Sequence, residues 1–173
     1  WKRETYRGGT TDPFIVHWPK GIKAKGEVRD QYCHAIDMMP TVLDLLGFEV
    51  PKEIGGVTQS PIEGVSFASS FDNSKAESKR TTQYFEMLGN RSIYHNGWRA
   101  DCPYPGPSYV EANEMDYHFG DPLTKERLIE RDKNGWELYK VDKDIAECHN
   151  VAEQYPEVLE EMITLWYAEA EKY

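Results

Sequence analysis

The side chains that could do chemistry in this 173-residue chain are scattered rather than grouped. Cys33, Cys102 and Cys148 lie far apart and are odd in number. They make neither a disulfide framework nor a zinc pattern, and at most one pair could bridge, which leaves the redox compartment open. The sequence has no Gly-x-Ser-x-Gly elbow, P-loop, Gly-rich dinucleotide fingerprint or His-Glu-x-x-His helix. His17, His34, His95, His118 and His149 fall in different predicted elements, and each reads as a hydrogen-bonded packing residue before it reads as a general base. Asp72-Asn73 and Asp142–Asp144 offer carboxylates without the alternating ligand spacing of an EF-hand loop. Asn90-Arg91-Ser92 has the form of a glycosylation sequon, a triplet that also arises by chance. Spacing alone therefore assigns no catalytic residue and no metal ligand.

Charge narrows the partners. The formal net charge is −10, which argues against nucleic acid, since neutralising phosphates needs clustered Lys and Arg. The charge is uneven: residues 1–30 carry seven basic and four acidic side chains, the rest 13 and 26. A basic end on an acidic protein could serve a small anion, although a solvated loop at Lys20–Lys25 explains the same bias. With 39% hydrophobic residues, five Trp, eleven Tyr and six Phe, the chain has the material for a real core. No apolar run approaches the roughly 20 residues that cross a bilayer, and Trp1-Lys2-Arg3-Glu4 is not a signal peptide. The chain opens without Met in the middle of what reads as an ordered segment, so a fragment is expected.

The elements that would position any site follow from local pattern. Phe14-Ile15-Val16-His17-Trp18, between Pro13 and Pro19, reads as a strand covered on both faces, the inside of an α/β sheet, although the first 50 residues hold no partner strands for it. Asp37 is expected to cap a helix with Met39, Val42, Leu43 and Leu46 on its apolar face and Gly47 as its left-handed stop. Residues 51–81 read as a long surface connection. Gln83–Leu88 and Arg91–His95 are strand-like, and Asn96-Gly97 before Trp98-Arg99-Ala100 predicts a type I′ hairpin within 82–101. Residues 102–134, rich in Pro, Gly, Tyr and charge, read as an insertion or edge loop. Trp136–Val141 offers another strand, to join the hairpin antiparallel. A helix over 156–172, opening at Pro156, carries Leu159, Met162, Ile163, Trp166 and Ala170 as its stripe and should cover one sheet face.

Several ordered motifs carry a resemblance. Lys2 stands six positions before Gly8-Gly9, followed by Thr10-Thr11-Asp12-Pro13-Phe14-Ile15-Val16-His17-Trp18-Pro19. Further on come His34-Ala35-Ile36-Asp37-Met38-Met39-Pro40-Thr41, then Tyr84-Phe85-Glu86 with Asn90-Arg91-Ser92-Ile93 and Gly97-Trp98-Arg99. Trp136-Glu137-Leu138-Tyr139 leads through Asp144 and Glu147 to Asn150-Val151-Ala152. In this order the motifs resemble the carboxy-terminal portion of the sulfatase family, arylsulfatase-like members of the alkaline-phosphatase superfamily. The resemblance covers nearly the whole chain apart from the 51–81 and 102–134 segments. It departs from the family at Arg7, usually Glu, and at Thr11, usually Arg, so a salt bridge common near that turn is expected to be absent.

The resemblance implies an α/β fragment plus an α+β unit: a strand–helix edge of an alkaline-phosphatase-like domain, then a small antiparallel sheet covered by a carboxy-terminal helix. The implied divisions are 1–50 for the edge of the catalytic domain, 51–81 for a connection and 82–173 for the small domain. It implies an intact enzyme that hydrolyses sulfate monoesters, aryl sulfates among them, with a formylglycine made in a Cys/Ser-x-Pro-x-Arg motif and a calcium ion held by Asp and Asn. No cysteine here lies in that motif, so catalytic and metal residues are expected outside this chain, in an amino-terminal portion that becomes its partner. The site residue carried over is Lys2, whose ammonium would contact the sulfate. A phosphonate or phosphodiester hydrolase of the same superfamily, or a stand-alone binding module, are the competing readings.

Overall fold

A computed structural model of the chain describes residues 4–103 and 124–173. Its contacts divide it into two compact units: the residues up to Pro13 together with Thr82–Tyr173, and Phe14–Thr81.

The first unit is built on a four-stranded antiparallel meander of β3 (Thr82–Met87), β4 (Asn90–His95), β5 (Trp98–Cys102) and β6 (Glu137–Lys140), in that spatial order. The β4–β5 turn is made by Asn96 and Gly97 with φ of 46° and 84°, the paired positive values of the predicted type I′ turn. Residues 82–101 are more than one hairpin, because Leu88 and Gly89, at φ 52° and 86°, close a second tight turn between β3 and β4. Leu88 is a residue type that rarely adopts this region, so composition alone did not announce the turn.

The registers place Tyr84, Ile93, Ala100 and Leu138 in one row across the sheet, and Phe85, Ser92, Asp101 and Glu137 in the next. Side chains alternate between faces along each strand, so the two rows look in opposite directions. The apolar row is covered by α5 (Pro156–Ala170), whose Met162 and Trp166 are buried against Ile93, Ala100, Cys102, Trp136 and Leu138. Trp166, at 7% exposure, also donates its indole N–H to the Phe85 carbonyl at 3.2 Å. On the polar row Ser92 and Asp101 are buried and Phe85 and Glu137 half-buried, on the side taken by the amino-terminal segment that contains α1 (Arg7–Thr10). In the 102–134 stretch, expected to be a loop, α4 (Lys125–Asn134) forms with the Thr124 hydroxyl accepting from the Arg127 amide. The remainder of that stretch, 104–123, lies outside the described residues. The Asn90 sequon lies in β4 with Asn90 and Ser92 both buried, so the folded strand offers no acceptor for a glycan.

In the second unit α2 (Met38–Leu46) ends at Gly47, φ 69°, ψ 26°, the expected left-handed stop. Asp37 caps it differently from expectation. It closes a preceding 3₁₀ turn, Ala35–Asp37, in a capping box with His34, and its carboxylate accepts from the His34 amide at 2.8 Å rather than from the first turn of α2. That carboxylate also accepts from the Val65 amide at 2.8 Å and is gripped by Arg80. Thr41 continues the pattern, its hydroxyl donating to the Asp37 carbonyl and accepting from the Phe67 amide. Gly64 is required beside these contacts: a Cβ there would lie 2.1 Å from the Ile36 carbonyl oxygen.

Further expectations change in this unit. Residues 51–81 are not a plain connection, since they hold a small hairpin, β1 (Glu53–Ile54) with β2 (Val57–Thr58), and a one-turn helix, α3 (Ser69–Asp72). Among the described residues Phe14–Trp18 pairs with no strand, and Ile15 is 87% exposed. The apolar face predicted for α2 is likewise open, with Met39, Val42 and Leu46 all exposed.

Candidate functional site

The amino-terminal segment is fastened to the polar face of the sheet by four contacts within three residues. The Thr5 carbonyl accepts from the Arg99 guanidinium. The Tyr6 hydroxyl donates to Glu137 Oε2 at 2.6 Å, an oxygen that also accepts from the Tyr139 hydroxyl at 2.7 Å. The Arg7 amide donates to Glu147 Oε2 at 2.8 Å, and its guanidinium donates to the Val141 carbonyl at 3.1 Å. Glu4 and Thr5 are consequently buried.

Arg99 is the centre of this arrangement. Its Nε lies 3.3 Å from both Asp101 Oδ2 and Glu147 Oε1, and its Cζ sits 4.7 Å from the centre of the Phe85 ring. Positions 99 and 101 share a face because they are two apart on β5, and Glu147 arrives from the turn after β6, where it adopts a left-handed φ of 54°. All three side chains are at most 5% exposed. One guanidinium thus faces two carboxylates in a desolvated space.

Burial pushes the Asp101 carboxyl up to about 7, against the opposing pull of Arg99, with Glu147 adding to the rise. Burial raises Glu147 as well, offset in part by Arg99 and the Arg7 amide. Tyr6 and Tyr139 are held well above the usual tyrosine range by burial and by Glu137, so both phenols remain donors. The cluster can take up or share a proton, but its geometry is that of a clamp on the segment rather than of a nucleophile with its base.

Lys2 lies outside the described residues, three positions before Thr5 in the sequence. Arg7, where the resemblance led to an expected loss of a salt bridge, makes the backbone contacts just given. The histidines do not converge. His95 bonds Thr82 and Asn96 through its two ring nitrogens, His34 belongs to the capping box, His17 and His149 are exposed, and His118 is outside the described residues. The three cysteines are free, with Cys102 buried beside Arg91. Among the described residues no three His, Cys, Asp or Glu side chains group as metal ligands, and no Cys or Ser stands in a Cys/Ser-x-Pro-x-Arg motif. The described residues thus offer no grouped calcium ligands, and the sequence offers no formylglycine motif. The sequence reading missed the clamp; its only local signal was opposite charges two apart on a strand at Arg99 and Asp101.

The first unit is thus an antiparallel sheet with one helix on its apolar face and a clamped amino-terminal turn on its polar face. The family model described as N-sulphoglucosamine sulphohydrolase, C-terminal, matches residues 1–95, and the chain belongs to that sulfatase family. It is 26% identical over 152 residues to an N-acetylglucosamine-6-O-sulfatase of Bacteroides thetaiotaomicron, covering 87% of this chain and 23% of that protein. It is 28% identical over 166 residues to an ulvan-active sulfatase of Formosa agariphila, covering 90% and 32%. A solved structure described under the metabolism of multiple glycosaminoglycans by Bacteroides thetaiotaomicron shares the fold with a TM-score of 0.64 at 23% identity, over 96% of this chain and 30% of that one. The chain thus spans about a quarter to a third of the length of these relatives.

Proposed function

We propose that this chain is the carboxy-terminal part of an enzyme that hydrolyses sulfate monoesters, and that its natural ester is carried on a sugar. The family membership supports the first statement. The second is supported by the printed activities of the relatives, an N-acetylglucosamine-6-O-sulfatase and an ulvan-active sulfatase. Aryl sulfate, the substrate implied by the arylsulfatase-like resemblance, is the competing class.

In this reading the partner is the amino-terminal catalytic portion of the same enzyme, which supplies the formylglycine and the calcium site. The open apolar residues of the second unit, Ile15, Met39, Val42, Leu46 and Phe48, are suited to lie against it. This chain's own contribution to the reaction is Lys2. An ammonium stabilises charge that develops on the sulfuryl oxygens without exchanging a proton.

Substrate profiling of the intact enzyme tests the reading. Turnover of a sulfated glucosamine well above that of an aryl sulfate is expected. The reverse order would return the assignment to the aryl class, and preference for a phosphodiester or phosphonate over every sulfate ester would remove the sulfatase reading.

A further inference from the structure

We propose that the clamp on Thr5–Arg7 is a proton-dependent latch: Asp101 and Glu147 jointly hold one proton while the segment is docked, and loss of that proton to solvent loosens the segment from the sheet. The inference goes beyond the sulfatase reading and does not depend on which ester the intact enzyme cleaves.

The arrangement of charge inside the clamp carries it. The Arg99 Nε–H donates to Asp101 Oδ1 at 3.4 Å, and the same nitrogen lies 3.3 Å from Asp101 Oδ2 and from Glu147 Oε1. Those two oxygens are buried and accept no hydrogen bond among the described residues. One guanidinium does not neutralise two ionised carboxylates, and a buried carboxylate oxygen without a donor is costly. A single proton on either oxygen removes the excess charge and supplies the missing donor. The surroundings do not supply it instead. β4 sets Ser92 opposite Asp101, and β6 brings Glu137 and Tyr139, with Glu137 taken up by the Tyr6 and Tyr139 hydroxyls. The segment adds the buried Glu4, and Asp144 works on Glu147 from its own turn. Arg7 is a second guanidinium, but it donates to the Val141 carbonyl and pulls on Glu147 less than Arg99 does. Burial pushes Asp101 up to about 7 and raises Glu147, in keeping with a pair that shares a proton.

The same groups hold the segment. Arg99 donates to the Thr5 carbonyl and Glu147 Oε2 accepts from the Arg7 amide, so two of the fastening bonds belong to the cluster whose charge changes. Once both carboxylates are ionised, their repulsion is relieved by moving one toward water. Glu147 is the one free to move: Ile145, Ala146 and Cys148 around it are exposed, and its φ of 54° lies where side chains other than glycine rarely rest. Its departure takes the acceptor away from Arg7.

Hydrogen exchange of the intact enzyme, read by mass spectrometry and corrected for the intrinsic pH dependence of exchange, tests the latch. The docked state holds a proton that the open state gives up, so opening is favoured as pH rises toward the docked value and no further above it. In the wild type the amides around Thr5–Arg7 are expected to open about 10- to 50-fold more at pH 7 than at pH 5, with a plateau above pH 7. Asp101→Asn keeps the volume and cannot ionise, and should reduce that rise to less than about 3-fold. Should Asp101→Asn not fold, Glu147→Gln takes its place, because its amide oxygen can still accept from the Arg7 N–H, and the same flattening is expected. Exchange at Thr5–Arg7 that is independent of pH in the wild type would overturn the latch, and so would an undiminished rise in a folded variant. A rise of equal size in α5 and β4 would overturn it as well, since the proton would then govern unfolding of the whole unit rather than release of the segment.

Discussion

An ammonium that meets charge as it develops on sulfuryl oxygens matters more in the transition state than in the bound substrate. Lys2→Ala in the intact enzyme should therefore lower kcat by about 100- to 1000-fold, with a smaller change in KM, as measured by steady-state kinetics. Lys20→Ala removes the same charge from the exposed loop and should leave the rate nearly unchanged, which separates a local contact from a field effect. Asp101 yields a second prediction, on stability. Folded, it keeps its proton up to about pH 7, against 3.8 for its ordinary value. The folded state therefore binds more protons than the unfolded state across that window, so stability should fall as pH rises from about 4 to about 7 and level off above it. Glu147, also raised, acts in the same direction. Asp101→Asn, which cannot ionise, should flatten the slope in urea unfolding followed against pH; an unchanged slope would place the extra proton elsewhere.

At the scale of elements, Asp37 and Thr41 of the His34–Thr41 motif make architectural contacts. Asp37 and Thr41 peg the Val65–Phe67 backbone to the start of α2, and Arg80 neutralises the carboxylate. Burial alone would raise Asp37, but Arg80 and the Val65 and His34 amides outweigh it and hold the carboxyl below its ordinary value. Its stabilising contribution is thus present above about pH 4 and lost as pH falls through the depressed value, opposite in sign to Asp101. Asp37→Ala leaves Arg80 buried without its charge partner and should destabilise the second unit by about 3–5 kcal/mol, read by denaturant unfolding of that unit. In the first unit Trp166 joins α5 to the sheet by packing on Trp136 and by its bond to the Phe85 carbonyl. Trp166→Ala should cost about 3–5 kcal/mol, and hydrogen exchange should rise in β3 and β4 together with α5.

For the whole molecule, the distribution of uncovered apolar side chains matters more than their number. The first unit covers both faces of its sheet, whereas the second leaves Phe14–Val16, most of the α2 face and Phe48 open. The chain alone, assayed free of other sulfatases, should hydrolyse neither aryl nor sugar sulfates with or without added calcium, since a lysine cannot replace a covalent nucleophile. Turnover above buffer would show that the chemistry resides in these 173 residues after all.

Short-range demands on the backbone were readable from sequence. Asn96-Gly97 needs two positive φ values, Gly47 ends a helix in the left-handed region, and the 3.6-residue stripe over 156–172 requires a sheet to lie on. Ordered motifs carried the family, because they report many such local demands at once. The fate of the polar strand positions was not readable. Arg99 and Asp101 alternate with Trp98, Ala100 and Cys102 as the solvent side of a two-layer sheet would, and only the segment 94 residues earlier in the chain turns that side into a buried clamp. Phe14–Trp18 shows the converse, since a strand-like run forms no ladder without neighbours. Propensity is a property of a few adjacent residues; burial and pairing belong to whatever distant chain arrives, and the tertiary structure alone decides that.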